Sequence, residues 1–170
     1  MNRARQERFF CLVRGAAILI RSKKMNIRIM TVNDYEQAYS LWLNTPNMGL
    51  NNIDDSKEGI AKYLVRNPNT CFVAEKDGEV TGVIMCGHDG RRGYIHHTAV
   101  KQSEQRSGIG ALLLNSAMSA LEREGIAKAA LVVFGKNEEG NAFWEKQGFT
   151  MRPDLVYRNK AILNLTRIDT

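Results

Sequence analysis

The segment Val100-Lys-Gln-Ser-Glu-Gln105-Arg-Ser-Gly108-Ile-Gly110-Ala-Leu-Leu-Leu114 holds more chemistry than any other part of this 170-residue chain. It follows an apolar, β-prone run from Tyr94 to Val100. It precedes an amphipathic helical pattern through Leu112, Leu113, Ala117 and Leu121. A strand–glycine loop–helix junction collects backbone N–H groups that lack intrahelical partners, and the helix dipole adds positive potential there. Such a site holds a phosphate without any cationic side chain. Glycine lets the ligand come close, because no Cβ stands between it and the backbone. The Walker pattern is absent, since Ala111 and Leu112 follow Gly110 where Lys and Ser or Thr belong. The dinucleotide fingerprint is absent too, since position 113 is leucine where a third glycine is needed.

The strand that feeds the loop carries Tyr94, His96 and His97. Alternation with period two predicts Tyr94 and His96 on one face and Ile95 and His97 on the other, unless a bulge reverses it. Imidazole titrates nearest neutrality, which makes His96 the first candidate for a general base. The competing reading is a half-buried histidine that only hydrogen-bonds. His88 and Asp89 lie in a turn and are expected to shape it. Cys11, Cys71 and Cys86 lack metal-ligand spacing and are odd in number, which suits a reducing cytoplasm and predicts no metal site.

Two blocks together resemble the GNAT-type N-acetyltransferase superfamily. One is Gln105-x-x-Gly108-x-Gly110 after Thr98-Ala-Val100, similar to the family's acetyl-CoA pyrophosphate loop. The other is Asn137-Glu-Glu-Gly-Asn-Ala-Phe-Trp144-Glu-Lys-Gln-Gly148-Phe149, similar to its Asn-x-x-Ala-x-x-x-Tyr-x-x-x-Gly-Phe helix. The resemblance runs from about Asn26 to the C-terminus. It implies acetyl-CoA as acyl donor, with the pyrophosphate on Gln105, Arg106, Ser107, Gly108, Ile109, Gly110 and Ala111. It implies that the backbone of Ala99 and Val100 pairs with the pantetheine arm like an added strand, and that Asn137 bonds the same arm. In relatives that acetylate arylalkylamines, the positions matching Tyr94 and His96 are both histidine and belong to a proton path. The departure is Trp144, standing where the family has the tyrosine that protonates the leaving thiolate. Indole N–H donates but does not titrate, so it can orient a sulfur and cannot act as general acid. Tyr94 and Tyr157 are then the tyrosines left for that role.

Ile27–Met30 reads as a strand, and Thr31 or Asn33 as the cap of a helix through Tyr35, Ala38, Leu41 and Trp42. Thr45–Asp55 is a polar loop, which the resemblance makes the wall of the acceptor pocket. Two carboxylates there, Asp54 and Asp55, could attract an ammonium group, and Trp42 and Met48 could line the pocket. Asp55 with Glu58 also reads as a capping pair for a helix through Ile60, Tyr63 and Leu64, stopped near Asn67-Pro68. Cys71–Glu75 and Glu79–Met85 form a hairpin around Asp77-Gly78. Ala129–Phe134 reads as a buried strand, and Phe149–Arg152 and Val156–Leu165 as closing strands. The expected class is therefore α/β, a mixed and mostly antiparallel sheet with helices on both faces, which is also the fold the resemblance implies.

The net charge of +6 invites a nucleic-acid reading. However, residues 1–24 hold seven of the 24 cations and only Glu7 of the 18 anions, which leaves 17 of each in the remainder. Residues 1–24 are thus expected to be an extension outside the fold, and 25–170 the acetyltransferase domain. Phe9–Ile20 is too short and too interrupted to span a bilayer, so neither membrane nor nucleic acid is an expected partner. The expected function is acetyl transfer to a primary amine of a small molecule or peptide in the cytoplasm, with a homodimer allowed. The alternative, motivated by Trp144, is a CoA-binding sensor with weak or no turnover.

Overall fold

The computed structural model describes residues 12–13, 16–17 and 25–170. Within the first 24 residues only a two-residue ladder is described, β1 (Leu12–Val13) against β2 (Ala16–Ala17). The expectation that this segment stands outside the domain otherwise lies beyond the described residues. From Met25 the chain forms β3 (Met25–Ile29), α1 (Tyr35–Leu43), β4 (Leu50–Asn51), α2 (Lys57–Arg66), β5 (Phe72–Lys76), β6 (Glu79–His88), β7 (Gly93–Val100), α3 (Ile109–Arg123), β8 (Ala129–Leu131), α4 (Glu138–Lys146) and β9 (Arg167–Ile168).

The main sheet has the order β3-β5-β6-β7-β8. Every pairing in it is antiparallel except β7 with β8. The β5–β6 hairpin closes at Lys76↔Glu79 over two residues, Asp77 and Gly78, both at positive φ, as the sequence predicted. β6 is buried on both faces, and its alternation divides two cores. Val83 and Met85 face Trp42, Ile60, Leu64 and Val73 beneath α1 and α2. Ile84 and Cys86 face Ile109, Leu113, Ala117 and Leu121 of α3. Each large apolar side chain so buried contributes about 1.5–3 kcal/mol. A Cβ at Gly82 would stand 3.0 Å from both Ile109 and Leu113, so the start of α3 is seated directly on β6. That contact fixes the position of the glycine loop.

Three expectations are corrected. β8 stops at Leu131 short of Phe134, and Val132 and Phe134 are exposed. The Phe134 ring instead meets Gly49 and lies 5.6 Å from the Arg167 guanidinium, which draws this segment away from β7. The closing strands at Phe149–Arg152 and Val156–Leu165 do not form, and residues 150–166 are exposed and irregular. Their far end is held elsewhere: β9 pairs with β4, Met48 N–H donates to Thr170 Oγ1 at 2.9 Å, and that hydroxyl donates to Thr45 O at 2.8 Å. Anchoring the tail on the α1–α2 loop keeps 156–165 off the β8 edge. Finally, the N-cap of α2 is Ser56, whose Oγ accepts from Gly59 N–H at 3.0 Å, so Asp55 is free for other work.

Candidate active site

β7 and β8 pair only from Gly93↔Ala129 to Ile95↔Leu131 and then part. From His96 onward β7 presents an unpaired edge. Lys101 N–H donates to Thr81 O at 2.8 Å. By alternation Ala99 N–H also points at β6, while the amides of Thr98 and Val100 face the gap. The expected pairing positions were Ala99 and Val100; of these, Val100 offers the free N–H, and the Ala99 methyl is buried in the core under α1 and α2.

At the end of that edge the chain turns through Gln102–Glu104 and reaches α3 at Ile109. Gln105 Nε2 donates to Val100 O at 3.2 Å, tying the loop to the strand end. Arg106 (φ 60°) and Gly108 (φ 90°) are left-handed, and the N–H groups of Arg106 to Ala111 find no acceptor among the described residues. Residues 105–108 are exposed, and the run of donors stands at the positive end of a 15-residue helix. The residues fit a diphosphate. The two glycines do different work: a Cβ at Gly108 would meet nothing within 4 Å, whereas one at Gly110 would stand 3.3 Å from the Phe143 ring of α4. Gly108 is open to ligand, and Gly110 lets α4 pack on α3.

The α4 block folds as read. Asn137 Oδ1 accepts from Gly140 N–H at 2.9 Å as N-cap. Trp144 is half-buried in an aromatic cluster, 4.9 Å from Phe143 and 5.2 Å from Phe149.

The largest correction concerns the histidines. β6 and β7 pair Ile84↔Thr98 and then Cys86↔Ile95, so one residue of β6 opposes two of β7. The bulge falls on His96 and His97, and it turns His97 to the same face as His96. His96 reaches the surface at one edge, while its ring is packed 4.8 Å from Tyr94 and 5.3 Å from Tyr63 by centroids. Partial burial, then the neighbouring His97, pull its pKa below the usual imidazole value, against Asp55 and Asp54. His97 lies deeper, against Trp42 at 5.1 Å, with Nε2 2.6 Å from Asp55 Oδ1. Sequence reasoning missed this pair, because the signal for it was a register shift invisible in the run Tyr94–Val100. Tyr94 is half-buried, its pKa raised by desolvation and then by Tyr157. Tyr157 itself is 66% exposed on the irregular arm. His88 joins Glu124 at 2.6 Å and Asp89 Oδ1 accepts from two turn amides, so both shape their turn, as expected.

A helix-seated donor loop beside a strand edge that opens from its neighbour defines a class, and the comparisons agree with it. The GNAT acetyltransferase family model matches residues 33–149, and the chain belongs to that family. Acetyl-CoA is thus the acyl donor, and acetyl transfer the reaction. The chain is 30% identical over 139 residues to acetyltransferase SG1711 of Sodalis glossinidius (strain morsitans), covering 82% of this chain and 96% of that one. It is 32% identical over 116 residues to acetyltransferase plu1384 of Photorhabdus laumondii, covering 67% and 78%. Among solved structures, the PaiA N-acetyltransferase of Thermoplasma acidophilum in complex with coenzyme A shares the fold. Its TM-score is 0.67 at 19% identity, over 76% of this chain and 91% of that one. No group of three or more candidate metal ligands and no helix long and apolar enough to cross a membrane occurs among the described residues.

Proposed function

We propose that this protein acetylates a primary amine of a small molecule or peptide. The observation that carries the reading is the pair of histidines on one face of β7, beside the gap where Thr98 and Val100 present free amides. A thioester carbonyl held at that edge would lie within the reach of the α1–α2 loop, and an amine entering from the loop would approach it. Amines are almost wholly protonated at neutral pH, so a proton must leave before attack. His96 stands on that exit, either taking the proton from the amine or handing it to solvent. Its lowered pKa keeps it neutral and able to accept. Asp54, exposed on the loop, offers a charge to an incoming ammonium. Asn137 and the donor loop hold the arm and diphosphate of CoA, Trp144 stacks beside them, and Tyr94 or Tyr157 supplies the proton for the thiolate. Solved structures that share the fold include AAC(6')-Iy in complex with the bisubstrate analogue CoA-S-monomethyl-acetylneamine and a ribosomal-protein-S18-alanine N-acetyltransferase, which supports both a small-molecule and a peptide amine as candidates.

The compartment in this reading is the cytoplasm, supported by Cys71 and Cys86. Both are free and buried, and burial pushes each thiol up to about 12. A homodimer belongs to it as well, supported by exposed apolar side chains from Met151 to Leu165; light scattering on the eluting protein reads it. The decisive test is turnover. Purified protein with acetyl-CoA and a panel of an aminoglycoside, spermidine, phenethylamine and an alanine-leading peptide should release CoA thiol with at least one acceptor. CoA binding without release on any of them would favour the sensor.

A further inference from the structure

We infer that His97 and Asp55 form a base and its orienter, with His97 Nδ1 the first atom to take the acceptor amine's proton and Asp55 a positioning residue. This rests on the amine-acetylating reading above. Asp55 is 5% exposed and His97 13%, and their 2.6 Å contact joins the α1–α2 loop to the bulge of β7. A carboxylate so buried is tolerated only when paired and hydrogen-bonded. Here every constraint fixes its direction. Its second oxygen accepts from Asn51 N–H at 2.6 Å, and the Asp55 backbone carbonyl accepts from the Tyr35 hydroxyl at 3.0 Å.

The chemistry follows from donor and acceptor capacity. A carboxylate only accepts, so the nitrogen facing it, Nε2, carries the hydrogen, and the lone pair of neutral His97 sits on Nδ1. Nδ1 is buried and has no hydrogen-bond partner among the described residues. The adjoining Trp42 ring has its Nε1 likewise buried and unpartnered. A base whose far nitrogen is fixed by a carboxylate, and whose near nitrogen is left without a partner, is set to bond whatever reaches Nδ1 past Trp42. The titratable groups around it are His96 and Tyr94 on its own strand, Asp54 and Asp55 on the loop, Tyr35 on α1 and Tyr63 on α2, with Lys57 5.9 Å from the Tyr35 ring.

The protons balance. An ammonium acceptor enters with three N–H bonds and leaves as an amide with one, as the new N–C bond forms and the thioester C–S bond breaks. One proton departs with the CoA thiolate. The other goes to His97 Nδ1, where Asp55 offsets the new charge, and then to solvent past His96 at the surface.

The test uses the full chain, with acetyl-CoA and the amine of the panel above that the wild type acetylates. His97→Gln should lower kcat by about 10²–10⁴-fold while CoA affinity by calorimetry is kept. Asp55→Asn is near-isosteric and can donate its amide N–H to Nε2, which moves the hydrogen to Nδ1 and removes the accepting lone pair. It should lower kcat comparably, leave the KM for acetyl-CoA unchanged, and shift the acidic limb of the pH–kcat profile. Free imidazole should restore part of the rate to His97→Gly, which a merely structural histidine would not allow. Wild-type kcat in folded His97→Gln overturns the inference and leaves the amine acetyltransferase standing. Loss of melting temperature with kcat retained in both variants reduces the pair to a strap on the loop and overturns it equally. If Asp55→Asn does not fold, His97→Gln and the imidazole rescue decide. A wild type that binds CoA and acetylates nothing on the panel sinks the functional reading and this inference together.

Discussion

Replacing Gly108 tests the donor loop in a way the structure makes quantitative. Its φ of 90° with ψ of −3° is left-handed, and a Cβ built there meets nothing within 4 Å. Gly108→Ala therefore costs backbone strain alone, about 1–2 kcal/mol for a non-glycine residue in that region. In a domain of this size each kcal/mol moves the melting temperature by about 2–4 °C, so the fold should survive with a loss of about 2–8 °C. Asparagine tolerates the same conformation better, and Gly108→Asn should recover part of that loss. Binding should respond differently. The new side chain stands in open space within the loop whose N–H groups, from Arg106 to Ala111, would meet the diphosphate. Gly108→Asp adds a negative charge at the same point, so CoA affinity by calorimetry should fall more than tenfold, at least about 1.4 kcal/mol. Gly110→Ala is the contrast: its Cβ presses on Phe143 at 3.3 Å, so it should cost stability through α4 packing and affect binding less. Unchanged CoA affinity in a folded Gly108→Asp would refute the assignment of this loop.

His96→Ala should cut turnover at neutral pH by about 10²–10⁴-fold with CoA affinity unmoved, and a wild-type rate across the pH range would remove His96 from the proton path. Because the folded state holds His96 below its ordinary value, the unfolded chain binds the extra proton first. Stability by denaturant titration should therefore fall as pH drops from 6.5 into the window below, and His96→Gln should flatten that slope. Asp34 has the depressed-carboxylate sign: burial alone would raise its pKa, but the Arg28 fork and Thr31 N–H outweigh it. Its contribution is present above pH 3.8 and lost as pH falls through the lower folded value. Asp34→Ala should cost about 3 kcal/mol, the low end for breaking a buried pair, because Arg28 keeps 34% of its side chain exposed. A chain beginning at Met25 should keep its melting temperature and CoA affinity, and a large loss in either would show that residues 1–24 pack on the domain. Trp144→Tyr should be tolerated or mildly activating, and a collapse in turnover would mean the indole is needed where it stands.

By itself the sequence determined the pieces whose causes are local. The Asp77-Gly78 turn, the amphipathic face of α3 and the glycine loop before it each depend on a few neighbouring residues, and each stands where period, propensity and spacing put it. Family membership was legible for the same reason, since the two motif blocks are contiguous in the chain. Tertiary structure decided what depends on residues far apart. Period two sends His97 to the α3 face, but the count of residues between Ile84↔Thr98 and Cys86↔Ile95 is set by pairing, and one extra residue on β7 reverses it. Only then does Asp55, 42 positions earlier, change from a helix cap into a partner for imidazole. The separate tasks of Gly108 and Gly110 were equally hidden, because Phe143 reaches Gly110 only when α4 folds against α3. The tail shows the reverse limit: Val156–Leu165 has the composition of a strand, yet composition names no partner. The anchoring of β9 on β4 carries it away from the sheet edge it would need.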